Sequence, residues 1–188
     1  MRNGIERRVF MAATSQNDGK TTCSIGFLKA FGGLAQSIGF IKPVGQRTVC
    51  VDGLQIDEDT VLIQKAGGLS CSLKDMSPVA VGRTFTREFL DHPEESLRGM
   101  KESILKSFAG AAQDNDLVVI EGTGHAGVGS VFDLSNARVA RMLNAKVVIV
   151  TRGGIGRPVD EIALNHTLFE KENVPVVGVI ANKTFPWK

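Results

Sequence analysis

No stretch of this chain approaches the ~20 consecutive apolar residues that a membrane-crossing helix needs. The opening run Met1-Arg2-Asn3-Gly4-Ile5-Glu6-Arg7-Arg8 also lacks the apolar centre of a secretory leader. A membrane is therefore not an expected partner. Charge of one sign is equally scarce. The 22 Lys and Arg against 20 Asp and Glu leave a net +2, too little to recruit nucleic acid or anionic lipid by bulk electrostatics. There are three cysteines, Cys23, Cys50 and Cys71, an odd number without metal-ligand spacing. They read as reduced thiols, and a cytoplasmic location is the expectation. Internal repeats, low-complexity tracts and linkers are absent as well. The 188 residues, 43% hydrophobic and 22% charged, instead fit one folded domain with a sizeable core.

The segment around which the chain is organised is Ala13-Thr14-Ser15-Gln16-Asn17-Asp18-Gly19-Lys20-Thr21-Thr22. The apolar run Val9-Phe10-Met11-Ala12 before it reads as a buried strand. The apolar-periodic segment Cys23 to Leu34 after it reads as a helix. Strand, tight loop and helix, with Gly-Lys-Thr at the helix start, is the arrangement of a phosphate loop. The first amides of a helix have no intrahelical partner, and the helix dipole adds partial positive charge there. Together with inward-pointing loop amides they form an anion cradle. Gly19 permits close backbone approach, Lys20 would neutralise the β- and γ-phosphates, and the Thr21 hydroxyl would hold Mg²⁺. The strict pattern G-x-x-x-x-G-K-[ST] is not met, because Thr14 stands where its first glycine belongs. Asp18 beside the cradle would repel phosphate unless it points away.

Further along, Ser37 to Lys42 reads as a strand ended by Pro43, and Pro43 to Arg47 as a loop. Asp57-Glu58-Asp59 opens a helical run stopped by Gly67-Gly68. Residues 69–92 carry the weakest pattern: Met76 to Val81 reads as extended, and Thr84 to Asp91 as either a short helix or a flap. Pro93 to Ala112 reads as a helix with an apolar stripe at Leu97, Met100, Ile104, Leu105 and Phe108. Leu117 to Glu121 is an apolar strand ending in an acid, followed by the glycine-rich loop Gly122 to Gly129. Asp133 and Ser135 are candidate caps for a helix through Leu143. Lys146 to Thr151 is a strand, Gly153 to Gly156 a second glycine loop, Pro158 to Glu172 a helix, and Val176 to Ala181 the last strand. Five wholly apolar strands alternating with helices imply an α/β fold with a mostly parallel sheet of at least five strands, flanked by helices on both faces. Ligands of such sheets bind at the carboxyl ends of the strands. The phosphate loop, Lys42, Glu121, Thr151 and Asn182 all fall there.

On these residues the chain resembles the dethiobiotin synthetase family of P-loop ATPases. That group also includes the ATP-binding domain of cobyrinic acid a,c-diamide synthase and the amino-terminal domain of some phosphotransacetylases. The resemblance runs from Val9 to Asn182. It is carried by Ala13 to Thr22, Lys42-Pro43-Val44, Glu121-Gly122-Thr123-Gly124 and Ala181-Asn182-Lys183. It implies a P-loop NTPase domain over 1–188, shortened at its carboxyl-terminal side, with ATP and Mg²⁺ as cofactors. In that likeness Thr14, Ser15, Gln16, Asn17, Asp18, Gly19, Lys20, Thr21 and Thr22 bind the nucleotide, and Asn182 reads the adenine edge. Lys20, Lys42 and Glu121 are the catalytic residues, Lys42 reaching the γ-phosphate and the acceptor anion. Thr21, Asp59 and Glu121 hold the metal.

The blander readings stay beside these. Lys42 could be a solvated strand-end lysine, Asp57 or Asp59 a simple helix cap, and His125 an exposed loop histidine. Ala13 replaces the family's first loop glycine, and the extra lysine of partitioning-type ATPases is missing at Thr14, Ser15 and Gln16. Two functions follow. One is an ATP-dependent ligase that phosphorylates a small-molecule carboxylate or carbamate before an amine attacks. The other is a nucleotide-sensing regulatory domain without turnover. Relatives of this kind are often homodimers, so a second copy of the chain joins the small-molecule acceptor among the expected partners.

Overall fold

The computed structural model describes residues 7–35, 37–82 and 84–185. The stretch read for a leader lies outside them up to residue 6. The chain opens with strand β1 (Arg7–Ala13), then helix α1 (Lys20–Phe31) and strand β2 (Ile38–Ile41). Short strand β3 (Val44–Gly45) precedes a hairpin of β4 (Thr48–Val51) and β5 (Leu54–Asp57). Helices α2 (Glu58–Gly67) and α3 (Leu73–Met76), strand β6 (Val79–Ala80) and helix α4 (Phe85–Asp91) follow. Then come α5 (Pro93–Ala112), β7 (Leu117–Glu121), α6 (Asn136–Met142), β8 (Lys146–Arg152), α7 (Arg157–Lys171) and β9 (Val176–Asn182).

The main sheet has five parallel strands in the order β2-β7-β1-β8-β9. β1 lies at its centre, with Met11 opposite Glu121 of β7 and Ala13 opposite Val150 of β8. The chain leaves β1 toward one edge, fills the place between with β7, and then crosses to the other side for β8. That reversal beside β1 is the crevice where an open α/β sheet takes its ligand.

Alternation along the strands divides the core into two layers. Phe10 and Ala12 of β1, with Val118 and Ile120 of β7, pack against Ile104 and Phe108 of α5, Ala140 of α6 and Phe169 of α7. Met11 and Ala13, with Leu117 and Val119, pack against Leu28 of α1, Ile63 of α2 and Met76 of α3. The expected helices on both faces are therefore present. Each wholly buried large apolar side chain contributes roughly 1.5–3 kcal/mol, and Phe10, Met11, Phe40, Ile104 and Phe169 are all at 0% exposure.

The main elements start and stop within a few residues of the sequence reading. The largest addition is the β4–β5 hairpin, which the pattern did not suggest. Asp52 (φ 50°) and Gly53 (φ 80°) both take left-handed conformations, as a two-residue turn that follows strand twist requires. The hairpin pairs Thr48 with Asp57 and so brings the start of α2 back to the carboxyl edge of the sheet. Within 69–92, the extended reading holds only at β6, because Met76 closes α3. Residues 85–91 form a helix, with Phe89 edge-on to Phe132. Ser135 caps α6 by accepting from the Arg138 amide at 3.2 Å. Asp133 instead takes φ 58° and pairs with the Arg138 guanidinium.

Helix α5 lies close over β2 at Gly39, where a Cβ would run into the Ala111 carbonyl oxygen. Gly39→Ala should cost about 1–3 kcal/mol through forced backbone separation, read as a lowered urea midpoint with unchanged slope.

Candidate nucleotide-binding site

The loop between β1 and α1 is anchored from several sides. The Thr14 amide donates to the Val150 carbonyl at 2.9 Å, which pins the start of the loop to β8. Gly19, at φ 91°, is the N-cap of α1 and contributes no side-chain cap, so the first amides of the helix are not taken by a capping side chain. At the end of β9, the Asn182 side-chain Nδ2 donates to the Asp18 carbonyl at 2.8 Å and the Lys183 ammonium to the Asn17 carbonyl at 2.6 Å. A Cβ on Gly19 would collide with the Asn182 side chain, so glycine is required there by space as well as by φ.

Asp18 lines the cleft, but its carboxylate is committed to partners within the fold. Its carboxylate is 1% exposed and accepts from the Ser15 amide at 2.7 Å, the Thr14 hydroxyl at 2.8 Å and Arg152 Nε at 3.0 Å. Its charge is thereby met by donors within the fold, at the expense of the Ser15 loop amide.

Next to the loop lies a buried charge cluster. Lys42, 4% exposed, follows β2 and sends its ammonium to Asp57 Oδ1 at 2.9 Å, to Asp59 Oδ2 in a very short contact, and to Glu121 Oε1 at 3.5 Å. It is not a solvated strand-end lysine. Burial alone would depress the Lys42 ammonium, but Glu121, Asp57 and Asp59 together outweigh that and hold it above its ordinary value. Burial likewise works to raise the Asp59 carboxyl, but Lys42, with help from the Thr21 hydroxyl, holds it below the usual carboxylate range. Lys20 is pushed down by burial, with Glu121 opposing and Lys42 adding to the fall. The choice left open between Asp57 and Asp59 becomes a division of labour. Asp57 caps α2 by accepting from the Asp59 amide at 3.0 Å and also pairs with Lys42, while Asp59 reaches the same ammonium from the first turn of α2.

Glu121 is wholly buried and held from α1 by the Thr21 hydroxyl at 3.1 Å and the Ser24 hydroxyl at 2.7 Å. Ser24 was absent from the sequence reading. Its signal was a polar residue one helical turn after Thr21 on the buried side of α1. The following loop is fixed by Asn136, whose side chain bonds the Thr123 amide and the Thr123 and His125 carbonyls at 2.7–3.1 Å. His125 is exposed, its Nδ1 accepting from the Gly127 amide at 3.1 Å.

A cleft of about 390 Å³ joins these parts, lined by residues 15–22 of the loop, Lys42, Asp57, Asp59, Thr123 and Lys183. Gln46 and Arg47, in the loop just before the hairpin, form one wall of it. Among the described residues no group of three or more His, Cys, Asp or Glu side chains is poised to hold a metal by itself. The oxygens at hand are the Thr21 hydroxyl and the Asp59 and Glu121 carboxylates. Such a hard-oxygen set suits Mg²⁺, which takes one or two protein carboxylates and completes its shell with water and phosphate. No helix among the described residues is long and apolar enough to cross a membrane.

A strand, an anion-cradling loop with Gly-Lys-Thr, and an acid ending the adjacent strand define a P-loop NTPase domain, which binds nucleotide. Residues 7–186 match the AAA_26 family, an AAA domain, and the chain belongs to it. It is distantly homologous to two sets of curated proteins. Phosphate acetyltransferase of Pseudomonas aeruginosa is 29% identical over 181 residues, which cover 93% of this chain but 24% of that protein. ATP-dependent dethiobiotin synthetase BioD of Methanococcus vannielii is 24% identical over 182 residues, covering 93% of this chain and 78% of that protein. The chain thus spans about a quarter of the phosphate acetyltransferases it matches. Among solved structures, the kinase domain of Escherichia coli tyrosine kinase ETK superposes with a TM-score of 0.58 at 14% identity, covering all of this chain and 71% of that one. That likeness is one of fold.

The charge cluster has a defined pH signature. Asp59, depressed when folded, stabilises above its unfolded value of about 3.9 and loses that contribution as pH falls through its lower folded value. Lys42, raised when folded, contributes fully below about 10.4 and loses it only as pH climbs through its higher folded value. Lys42→Met leaves buried carboxylates unpaired and should cost about 3–5 kcal/mol near neutral pH. Without the ammonium that holds it low, Asp59 takes up a proton more readily, so the deficit should shrink as pH is lowered toward 4, measured by chemical denaturation at several pH values.

Proposed function

We propose that this domain binds Mg²⁺·ATP in the loop of residues 13–22 and acts as an ATP-dependent ligase. The acceptor is a small-molecule carboxylate or carbamate. The observation that carries the reading is the Lys42 ammonium, buried beside the phosphate loop and opening on the same cleft. A lysine there would bridge a γ-phosphoryl group and an anionic acceptor. Similarity over most of the chain to dethiobiotin synthetases supports the same reading.

Phosphoryl transfer asks for positioning and charge neutralisation more than for covalent help. Lys20 and the amides at the start of α1 hold the β- and γ-phosphates. The acceptor oxygen attacks the γ-phosphorus while the bond to the β–γ bridging oxygen breaks, and ADP leaves with that electron pair. An amine then attacks the acyl phosphate and phosphate departs. Mg²⁺, when bound, neutralises the charge that develops on the phosphate oxygens. Thr21, Asp59 and Glu121 would hold it, and Ser24 keeps the Glu121 carboxylate aimed at the loop. Asn182 contributes its side chain at the base end of the loop. The acceptor enters from the side of Gln46 and Arg47. The protein works with a small molecule, without nucleic acid or membrane, and assembles as a homodimer.

A second reading, a nucleotide sensor without turnover, is favoured by one observation. Nearly the whole chain aligns with only a fraction of several phosphate acetyltransferases, as a module that biases a partner domain would.

Lys20→Ala should abolish nucleotide binding, and unchanged affinity in that variant would refute the loop assignment. Incubation with Mg²⁺·ATP alone and then with carboxylate–amine pairs separates the two readings. ADP released only with an acceptor marks a ligase, and binding without release under every condition marks a sensor.

A further inference from the structure

The phosphate loop contains a buried acid. Asp18 directly precedes Gly19-Lys20-Thr21 and is 1% exposed. The Ser15 amide and the Thr14 hydroxyl both bond its Oδ2, so its carboxylate sets the path of the loop at residues 14–18. Thr14 Oγ1 also lies 3.0 Å from the Thr151 hydroxyl at the end of β8. The next residue of β8, Arg152, places Nε 3.0 Å from the other oxygen, Oδ1. A buried carboxylate this close to a triphosphate would repel it, and without a counter-charge only the Ser15 amide and the Thr14 hydroxyl would hold Asp18 against that repulsion. Arg157 is near enough to feel the Asp18 charge, but its Nε is committed to Glu161 at 2.7 Å. Arg152 is the guanidinium that bonds Asp18.

We propose that Arg152 is a positioning residue for nucleotide binding: it neutralises Asp18 from the neighbouring strand end and thereby keeps the loop open to phosphate. It acts through Asp18 and touches no phosphate itself. The pair sits on the strand side of the loop, opposite the Lys42 cluster, so the cradle is electrostatically tuned from both flanks. The inference rests on the reading of residues 13–22 as a phosphate cradle.

The test uses inorganic tripolyphosphate with Mg²⁺, which has no base or ribose and reports on the loop alone, titrated calorimetrically into the full chain. Arg152→Met should weaken binding about tenfold or more, the size expected when one member of a coupled charge pair is removed. Adding Asp18→Asn to that variant removes the stranded charge but keeps an oxygen for the Ser15 amide, and should restore most of the lost affinity. A guanidinium serving only as packing would not be rescued by neutralising its partner, so a double variant as weak as Arg152→Met overturns the inference, as does an Arg152→Met protein that binds like wild type. Should Arg152→Met not fold, Asp18→Asn is compared with the double variant. Loss of Arg152 in that neutral background must cost less than about threefold, and a larger loss overturns the proposal. Wild-type protein that takes up no tripolyphosphate refutes the cradle reading itself, and the inference falls with it.

Discussion

The site depends on one ammonium group held among three carboxylates. Lys42 arrives from the end of β2, Glu121 from β7, and Asp57 and Asp59 from the start of α2, so three separate stretches of chain meet at a single Nζ. Desolvating these charges is costly, and the mutual attraction repays it only because the geometry is close and the remaining oxygens have donors. Thr21 and Ser24 supply those donors to Glu121 from the first turns of α1. The phosphate loop, the acid after β7 and the capped start of α2 are thus tied into one unit.

The second anchor of the loop is on the opposite flank. There the fold has converted an unfavourable residue into a structural one, by burying Asp18 under the loop and setting Arg152 against it. Asn182 and Lys183 clamp the loop carbonyls from the end of β9. Two consecutive side chains spent on the loop backbone make the end of β9 a brace as much as a wall of the cleft. Loop position is therefore set from β8 and β9 as well as from β1.

The elements most legible in the sequence were those whose physical signal is local. β7 and α5 run over the residues read for them, because one is an unbroken apolar run and the other begins at Pro93 and carries an apolar stripe. The hairpin was missed because its strands are only four residues long and half exposed, so that the alternation in Leu54-Gln55-Ile56-Asp57 is too short to stand out, which left Asp52-Gly53 as its one clear mark. The site was legible as a list of residues at strand ends. Asp57 and Asp59 could not be told apart in the sequence, because a first-turn carboxylate suits a cap and a charge partner equally. Arg152 was invisible for a different reason: its partner is 134 residues away, and nothing near it in the chain signals a pairing.

The placement of Glu121 has a further consequence for how this sequence can vary. The carboxylate faces α1 because residues 117, 119 and 121 share one side of a pleated strand, while Val118 and Ile120 face the other layer. Deleting or inserting a single residue in β7 would exchange the two sets. An ionised group would then be driven among Phe10 and Ile104, and the hydroxyls of α1 would meet a hydrocarbon. Length changes in this strand are therefore far less tolerable than point substitutions, and drift in chain length should be confined to the loops at its two ends.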